Sequence, residues 1–150
     1  MPLRLEPVTP DNVRDACALT VEPDQEAVVA PVAVSLAEAY TQPQSAWPRL
    51  VYDDQDLVGF VMAGFDPENP VDLFRCGIWR LNIAAGHQGR GYGRFAVEEL
   101  CAEARRRGQR RVTVMWEVHP AGPEGFYRRI GFTPTGQIFH GEVVGERLLD

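Results

Sequence analysis

Apolar positions along the chain follow two periods, and the changes from one to the other mark the elements. Leu3, Leu5 and Val8 alternate until Pro7 interrupts them, which predicts a short strand; Thr9-Pro10-Asp11-Asn12 then supplies a helix entry, and a helix is predicted over about 13–19. Val21 to Gln25 contains Pro23 and reads as a connection. From Glu26 to Tyr40 apolar and small residues recur around Pro31, with Ser35 to Tyr40 helical by propensity, so two short helices are expected. Leu50-Val51-Tyr52, the acidic turn Asp53-Asp54-Gln55-Asp56 and the run Leu57 to Ala63 predict a hairpin. A second turn at Asp66 to Pro70 leads into a long strand over Leu73 to Ile83.

The period becomes helical beyond residue 94. Val97, Leu100, Cys101 and Ala104 fall on one face of a helix, with the acids Glu98 and Glu99 early, Arg105-Arg106-Arg107 in the last turn and Gly108 after it. The arginine run therefore reads as a helix terminus rather than a nucleic-acid contact. Arg111 to Val118 alternates and is rich in β-branched residues, so strand, helix and strand form a right-handed crossover. His119 to Pro123 breaks it, Glu124 to Ile130 is a short helix, and Phe132 to Phe139 and Glu142 to Leu149 close the chain as two strands around Gly141.

Composition narrows the class. At 150 residues and 45% hydrophobic residues, the chain is expected to form one domain, 1–150, that buries its own core. It holds no apolar run long enough for a membrane span, and Met1 to Glu6 has no secretory-signal character, so a cytoplasmic protein is expected. Cys17, Cys76 and Cys101 are odd in number and widely spaced, which suggests neither disulfides nor a metal site. The net charge of -6 argues against a nucleic-acid partner and suits simple solubility or a cationic ligand.

Chemistry is declared at His87-Gln88-Gly89-Arg90-Gly91-Tyr92-Gly93-Arg94, between the long strand and the helix. Alternating glycines permit positive φ and a close backbone approach, and successive amides at a helix start attract anions, with Arg90 and Arg94 beside them. A phosphate or pyrophosphate ligand follows. The Walker loop is excluded because no Lys-Ser/Thr pair is present, and the dinucleotide fingerprint fails because Arg94 stands where a glycine is required. The spacing that remains is Gln/Arg-x-x-Gly-x-Gly/Ala, met by Gln88 to Gly93.

That loop, followed about 35 residues later by Gly125-Phe126-Tyr127-Arg128-Arg129-Ile130-Gly131-Phe132, resembles the GNAT superfamily of N-acetyltransferases over roughly Leu73 to Phe139. By overall look the chain is most similar to small bacterial acetyltransferases of spermidine and related amines. The resemblance implies an α/β (α+β) fold with a mixed, mostly antiparallel sheet of six or seven strands and about four helices. It implies acetyl-CoA as cofactor, with pyrophosphate on the amides of Gly89, Arg90, Gly91, Tyr92, Gly93 and Arg94 beside Gln88. The pantetheine arm would lie along the main chain of Leu81, Asn82 and Ile83, and the thioester in a splayed gap between that strand and the Val112 to Val118 strand. Relatives often carry Asn just after that strand; His119-Pro120 stands here instead, so that contact is not expected.

The reaction implied is attack of a neutral amine on the thioester through a tetrahedral oxyanion. An alkyl amine with a pKa near 10.4 costs roughly 4–5 kcal/mol to deprotonate at pH 7, so a base or a water chain is called for. Glu117 and His119 are the candidates. Tyr127, in the Phe-Tyr position, is the candidate general acid for the leaving thiolate, with Phe126 and Phe132 as core beside it. The first two helices are expected to supply the acceptor pocket, where Glu22, Asp24, Glu26 and Glu38 suit a polyamine or merely form a solvated face. Trp47, Trp79 and Trp116 are candidate pocket walls or core. The expected partner is a small-molecule amine, with a homodimer as the family's habit; acetylation of a protein N-terminus or lysine, and a non-catalytic acyl-CoA sensor, are the alternatives.

Overall fold

A computed structural model describes residues 2–150. Seven strands form one sheet in the order β1-β2-β3-β4-β5-β7-β6. They are β1 (Leu3–Glu6), β2 (Ala46–Asp53), β3 (Asp56–Phe65), β4 (Cys76–Ile83), β5 (Arg111–Trp116), β6 (Thr133–Phe139) and β7 (Glu142–Leu148). Four α-helices accompany them: α1 (Val13–Ala18), α2 (Val32–Thr41), α3 (Tyr92–Arg106) and α4 (Glu124–Arg129). The expected mixed sheet and helix count are observed. Among the described residues, only β4 and β5 pair in parallel.

Several boundaries differ from the sequence reading. Leu73 lies in a short 3-10 helix, Asp72–Phe74, and β4 begins only at Cys76. The first of the two helices expected between Glu26 and Tyr40 is absent: Pro23–Gln25 makes a 3-10 turn, and α2 starts after Pro31, whose ring occupies the N-cap. Proline there cannot continue a helix from upstream but suits a helix start. β5 stops at Trp116, which leaves Glu117 and Val118 beyond the strand.

Side-chain alternation splits the core between the two sheet faces. Val51, Val61, Ala63, Val112, Val114 and Trp116 meet the apolar stripe of α3, Ala96, Val97, Leu100, Cys101 and Ala104, on one face. Leu50, Phe60 and Met62 meet Ala16, Val32 and Ala39 of α1 and α2 on the other. Burial of each large side chain contributes about 1.5–3 kcal/mol, so α3 is held mainly by its packed stripe. The acidic first turn expected of this helix is not there, because the helix starts at Tyr92 rather than near Phe95 and Glu98 and Glu99 fall in its middle.

The parallel pair β4–β5 keeps register at only two positions, Gly77↔Thr113 and Ile78↔Val114. The strands nearly touch there. A Cβ on Gly77 would lie 2.7 Å from Thr113 Oγ1 and 2.9 Å from its carbonyl oxygen. The Thr113 hydroxyl donates to Leu73 O at 2.6 Å and also lies 3.3 Å from Cys76 O. Beyond this pin the strands part. β4 follows β3 to Ile83↔Gly59, with a register break around Trp79, while β5 follows β7 to Trp116↔Val143.

Gly77→Ala forces a methyl against backbone atoms at the pin. Overpacking of this kind costs about 1–3 kcal/mol, so the thermal midpoint should fall by roughly 2–12 °C in a calorimetric scan. An unchanged midpoint would show that the two strands are not held at this contact.

Candidate active site

Divergence of β4 and β5 opens a cleft of about 1390 Å3, lined from both faces of the sheet. Gly91, Gly93, Arg94, Phe126 and Tyr127 bound it on the α3–α4 face; Glu26, Val28, Pro31, Trp79 and Arg80 bound it on the α1–α2 face. From Trp79 to Ile83 the edge of β4 that faces β5 has no partner strand. That edge can accept an extended ligand. Leu81 and Ile83 line the cleft, whereas Asn82 turns its buried side chain away and donates from Nδ2 to Ala30 O at 2.9 Å.

The loop after β4 is built for an anion. Gly89 and Gly91 adopt φ of 74° and 84°, and nothing lies within 4 Å of where a Cβ would stand. Gly91 is the N-cap of α3, no side chain caps the helix, and no carboxylate occupies its first turn. The first amides are thus left without an intramolecular acceptor, and the positive end of the helix dipole faces the cleft. Arg94 lines the cleft, and Arg90 is exposed outside the lining. This arrangement fits the pyrophosphate of acetyl-CoA.

Two of the loop residues act differently from the sequence reading. Gly93 does not have positive φ; a Cβ there would come within 3.0 Å of the Phe126 ring, so glycine serves the packing of α3 against α4. Tyr92 keeps its amide in the loop but turns its side chain into the core, where the hydroxyl donates to Asp53 Oδ2 at 2.5 Å. That acceptor raises the Tyr92 pKa above its ordinary value. Gln88 donates to Ile83 O at 2.9 Å and to Gln25 Oε1 at 3.2 Å, so its side chain closes the loop onto the end of β4.

Tyr127 lies at the other wall of the split. Its ring stacks on Trp116 with centroids 5.8 Å apart and meets Phe126 and Phe132 edge-on at 5.1 and 5.6 Å. Burial raises its pKa well above that of free tyrosine. The Trp116 indole donates to Glu124 Oε1 at 3.1 Å, and Arg128 donates to Glu124 Oε2 at 2.8 Å. Arg128 first, then the indole, holds the Glu124 carboxyl below the ordinary carboxylate value. The sequence reading missed Glu124; its place one turn before Arg128 and eight residues past Trp116 is the only signal it leaves.

The two candidate bases separate. Glu117 is exposed and lines the cleft. His119 is outside the lining, and its Nδ1 accepts the Ala121 amide at 3.0 Å, a turn contact. The expected acidic patch is also partly spent: Glu22 Oε2 accepts from Gly86 N at 2.6 Å, Glu38 pairs with Arg80 at 2.9 Å, and Asp24 does not reach the cleft. Glu26 alone of the four lines it. Trp79 and Trp116 line the cleft, while Trp47 packs on Phe65 at 5.9 Å, under the guanidinium of Arg49.

A sheet split between two parallel strands, with an uncapped helix start at one end of the split, makes a cleft for an extended ligand that carries an anionic end. The sequence matches the Acetyltransferase (GNAT) family over residues 14–132, and the chain belongs to that family. It is an acetyl-CoA-dependent acetyltransferase. Its fold is similar to an acetyltransferase from Thermus thermophilus, at 24% identity and a TM-score of 0.76 over 99% of this chain and 98% of that one. It is also similar to the PaiA N-acetyltransferase from Thermoplasma acidophilum in complex with coenzyme A, at 10% identity and 0.69 over 99% of both chains. The ribosomal-protein-S18-alanine N-acetyltransferase from Escherichia coli gives 12% identity and 0.71 over 99% and 94%. No curated protein matches the sequence.

Gly91→Ala tests the cradle. Holding a side chain at φ of 84° costs about 1–2 kcal/mol; the free loop should relax away from that conformation and recover it only on binding, so the Kd for coenzyme A in titration calorimetry should rise roughly tenfold. Retained affinity would show that Gly91 does not shape the anion site.

Proposed function

We propose that the protein acetylates the primary amine of a small molecule, with Tyr127 as general acid and Glu117 on the amine side. The observation that carries this reading is the buried tyrosine at the wall of a split that also holds a free strand edge and a bare helix start. Acetyl-CoA supplies the acetyl group as an activated thioester. Leu81 and Ile83 on the free edge of β4 align it, and the amides from Gly89 to Arg94 hold its charged end.

Tyr127 keeps its proton because burial among Trp116, Phe126 and Phe132 disfavours the phenolate. The same dry wall raises the basicity of a sulfur departing beside it, so the proton has a suitable acceptor at the moment of release. Glu117 is the cleft carboxylate nearest in sequence to Trp116, in a position to receive an ammonium proton directly or through water. The charges of the cleft do not read as a polyamine channel: Glu26, Asp66, Glu117 and Glu142 share it with Arg80, Arg94 and Arg129. An acceptor with one reacting amine suits this mixture better than a chain of cations.

Tyr127→Phe should lower kcat by roughly 100-fold or more while the Kd for coenzyme A stays unchanged. Full turnover in the variant would remove the role. For the wild type, kcat/KM should climb with pH as the amine loses its proton. Because burial raises the Tyr127 pKa, no descending limb from this group should appear below about pH 10. A descending limb below that value that vanishes in Tyr127→Phe would contradict the assignment of its proton.

A further inference from the structure

Arg80 is a charged residue in the middle of a central strand. It pairs with Met62, next to the register break at Trp79, and its side chain runs on the α2 face of the sheet to Glu38. The side chain is only 23% exposed, and it lines the cleft. Nη1 donates to Trp79 O at 3.0 Å and Nη2 to Glu38 Oε1 at 2.9 Å, while Nε is buried without a partner. A half-desolvated guanidinium with one carboxylate partner and an unmet N–H is a poor choice for stability, since an apolar side chain would serve the packing better. Its presence in the wall of the substrate cleft points to a ligand.

The surroundings narrow that ligand. Val28, Val29, Pro31 and Trp79 give the α1–α2 side of the cleft an apolar wall. Of the cleft carboxylates, Glu26 and Glu117 are exposed, and Asp66 accepts from Asn69 at 2.9 Å. A guanidinium has five N–H groups; Trp79 O and Glu38 take two, Nε is enclosed, and one N–H on each Nη remains. Paired outer N–H groups match a carboxylate. Pairing of β4 with β5 ends at Ile78, and Arg80 lies two residues further, about 7 Å at 3.3 Å per residue. The anionic group it binds therefore sits close to the point where the split begins.

We propose that Arg80 binds a carboxylate of the acceptor, so that the preferred substrate is an α-amino acid with an apolar side chain rather than a polyamine. This rests on the acetyl-transfer reading above and names its substrate class. Glu38 orients the guanidinium and at the same time opposes a second carboxylate, so the two residues act on specificity in opposite directions.

The test is thiol release from acetyl-CoA with leucine against 3-methylbutylamine, phenylalanine against phenethylamine, and spermidine. Wild type should prefer each amino acid over its decarboxylated partner by roughly tenfold or more in kcat/KM. Arg80→Gln should remove most of that preference through the amino-acid KM, with a much smaller change in kcat/KM for the decarboxylated amines. Arg80→Lys should keep part of the preference, and Glu38→Gln should widen it. A wild type that prefers spermidine or the decarboxylated amines overturns the inference, as does an Arg80→Gln or Arg80→Lys effect equal on both members of a pair. Coenzyme A binding without thiol release to any acceptor would instead remove the small-amine reading itself, and the inference with it.

Discussion

The contact between Gly77 and Thr113 governs the rest of the molecule. Two parallel strands are brought together there more closely than any side chain at residue 77 would permit, and the Thr113 hydroxyl ties the junction to Leu73 and Cys76. Each strand is then drawn outward by its antiparallel neighbour, β4 by β3 and β5 by β7. A parallel pair held at one end and pulled apart at the other has to leave a free strand edge and a cleft. Both features that make an acyl-CoA site, the edge and the gap, follow from that one contact.

The ends of the split carry the specific chemistry. On one side, α3 begins at Gly91 with neither a capping side chain nor a carboxylate in its first turn, so its dipole and amides remain available to an anion. Asp53 fixes the first residue of that helix through the Tyr92 hydroxyl, and Gln88 fixes the loop through Ile83 O. The cradle is therefore held from behind while its front stays open. On the other side, Glu124 takes the Trp116 indole, and Trp116 stacks on Tyr127, which places the buried hydroxyl-bearing ring by a chain of side-chain contacts.

Much of the α3–β5 half was legible because its signals are local. The Gln88 to Gly93 spacing and the apolar stripe from Val97 to Ala104 each depend on residues near one another in sequence, and the α3 stripe lies on the core as that pattern requires. What escaped was set by distant partners. Nothing near Gly93 announces that Phe126 needs its space, and nothing near Tyr92 announces Asp53. Glu22 and Glu38 read as an acidic pocket for a cation, or as a solvated face, until the fold engages them with Gly86 and Arg80. Arg80 itself left a mark, the one charge in β4, whose meaning depends on the register break beside it.

We propose that the split between β4 and β5 and the bare start of α3 form one continuous acetyl-CoA site. Backbone amide NMR during titration with coenzyme A tests it most directly. Chemical-shift changes should concentrate at Leu81, Ile83 and the amides from Gly89 to Arg94, with a smaller response at Tyr127. Changes confined to the separate groove around Asp15, Tyr52 and Leu57, with the Gly89 to Arg94 amides unmoved, would contradict it.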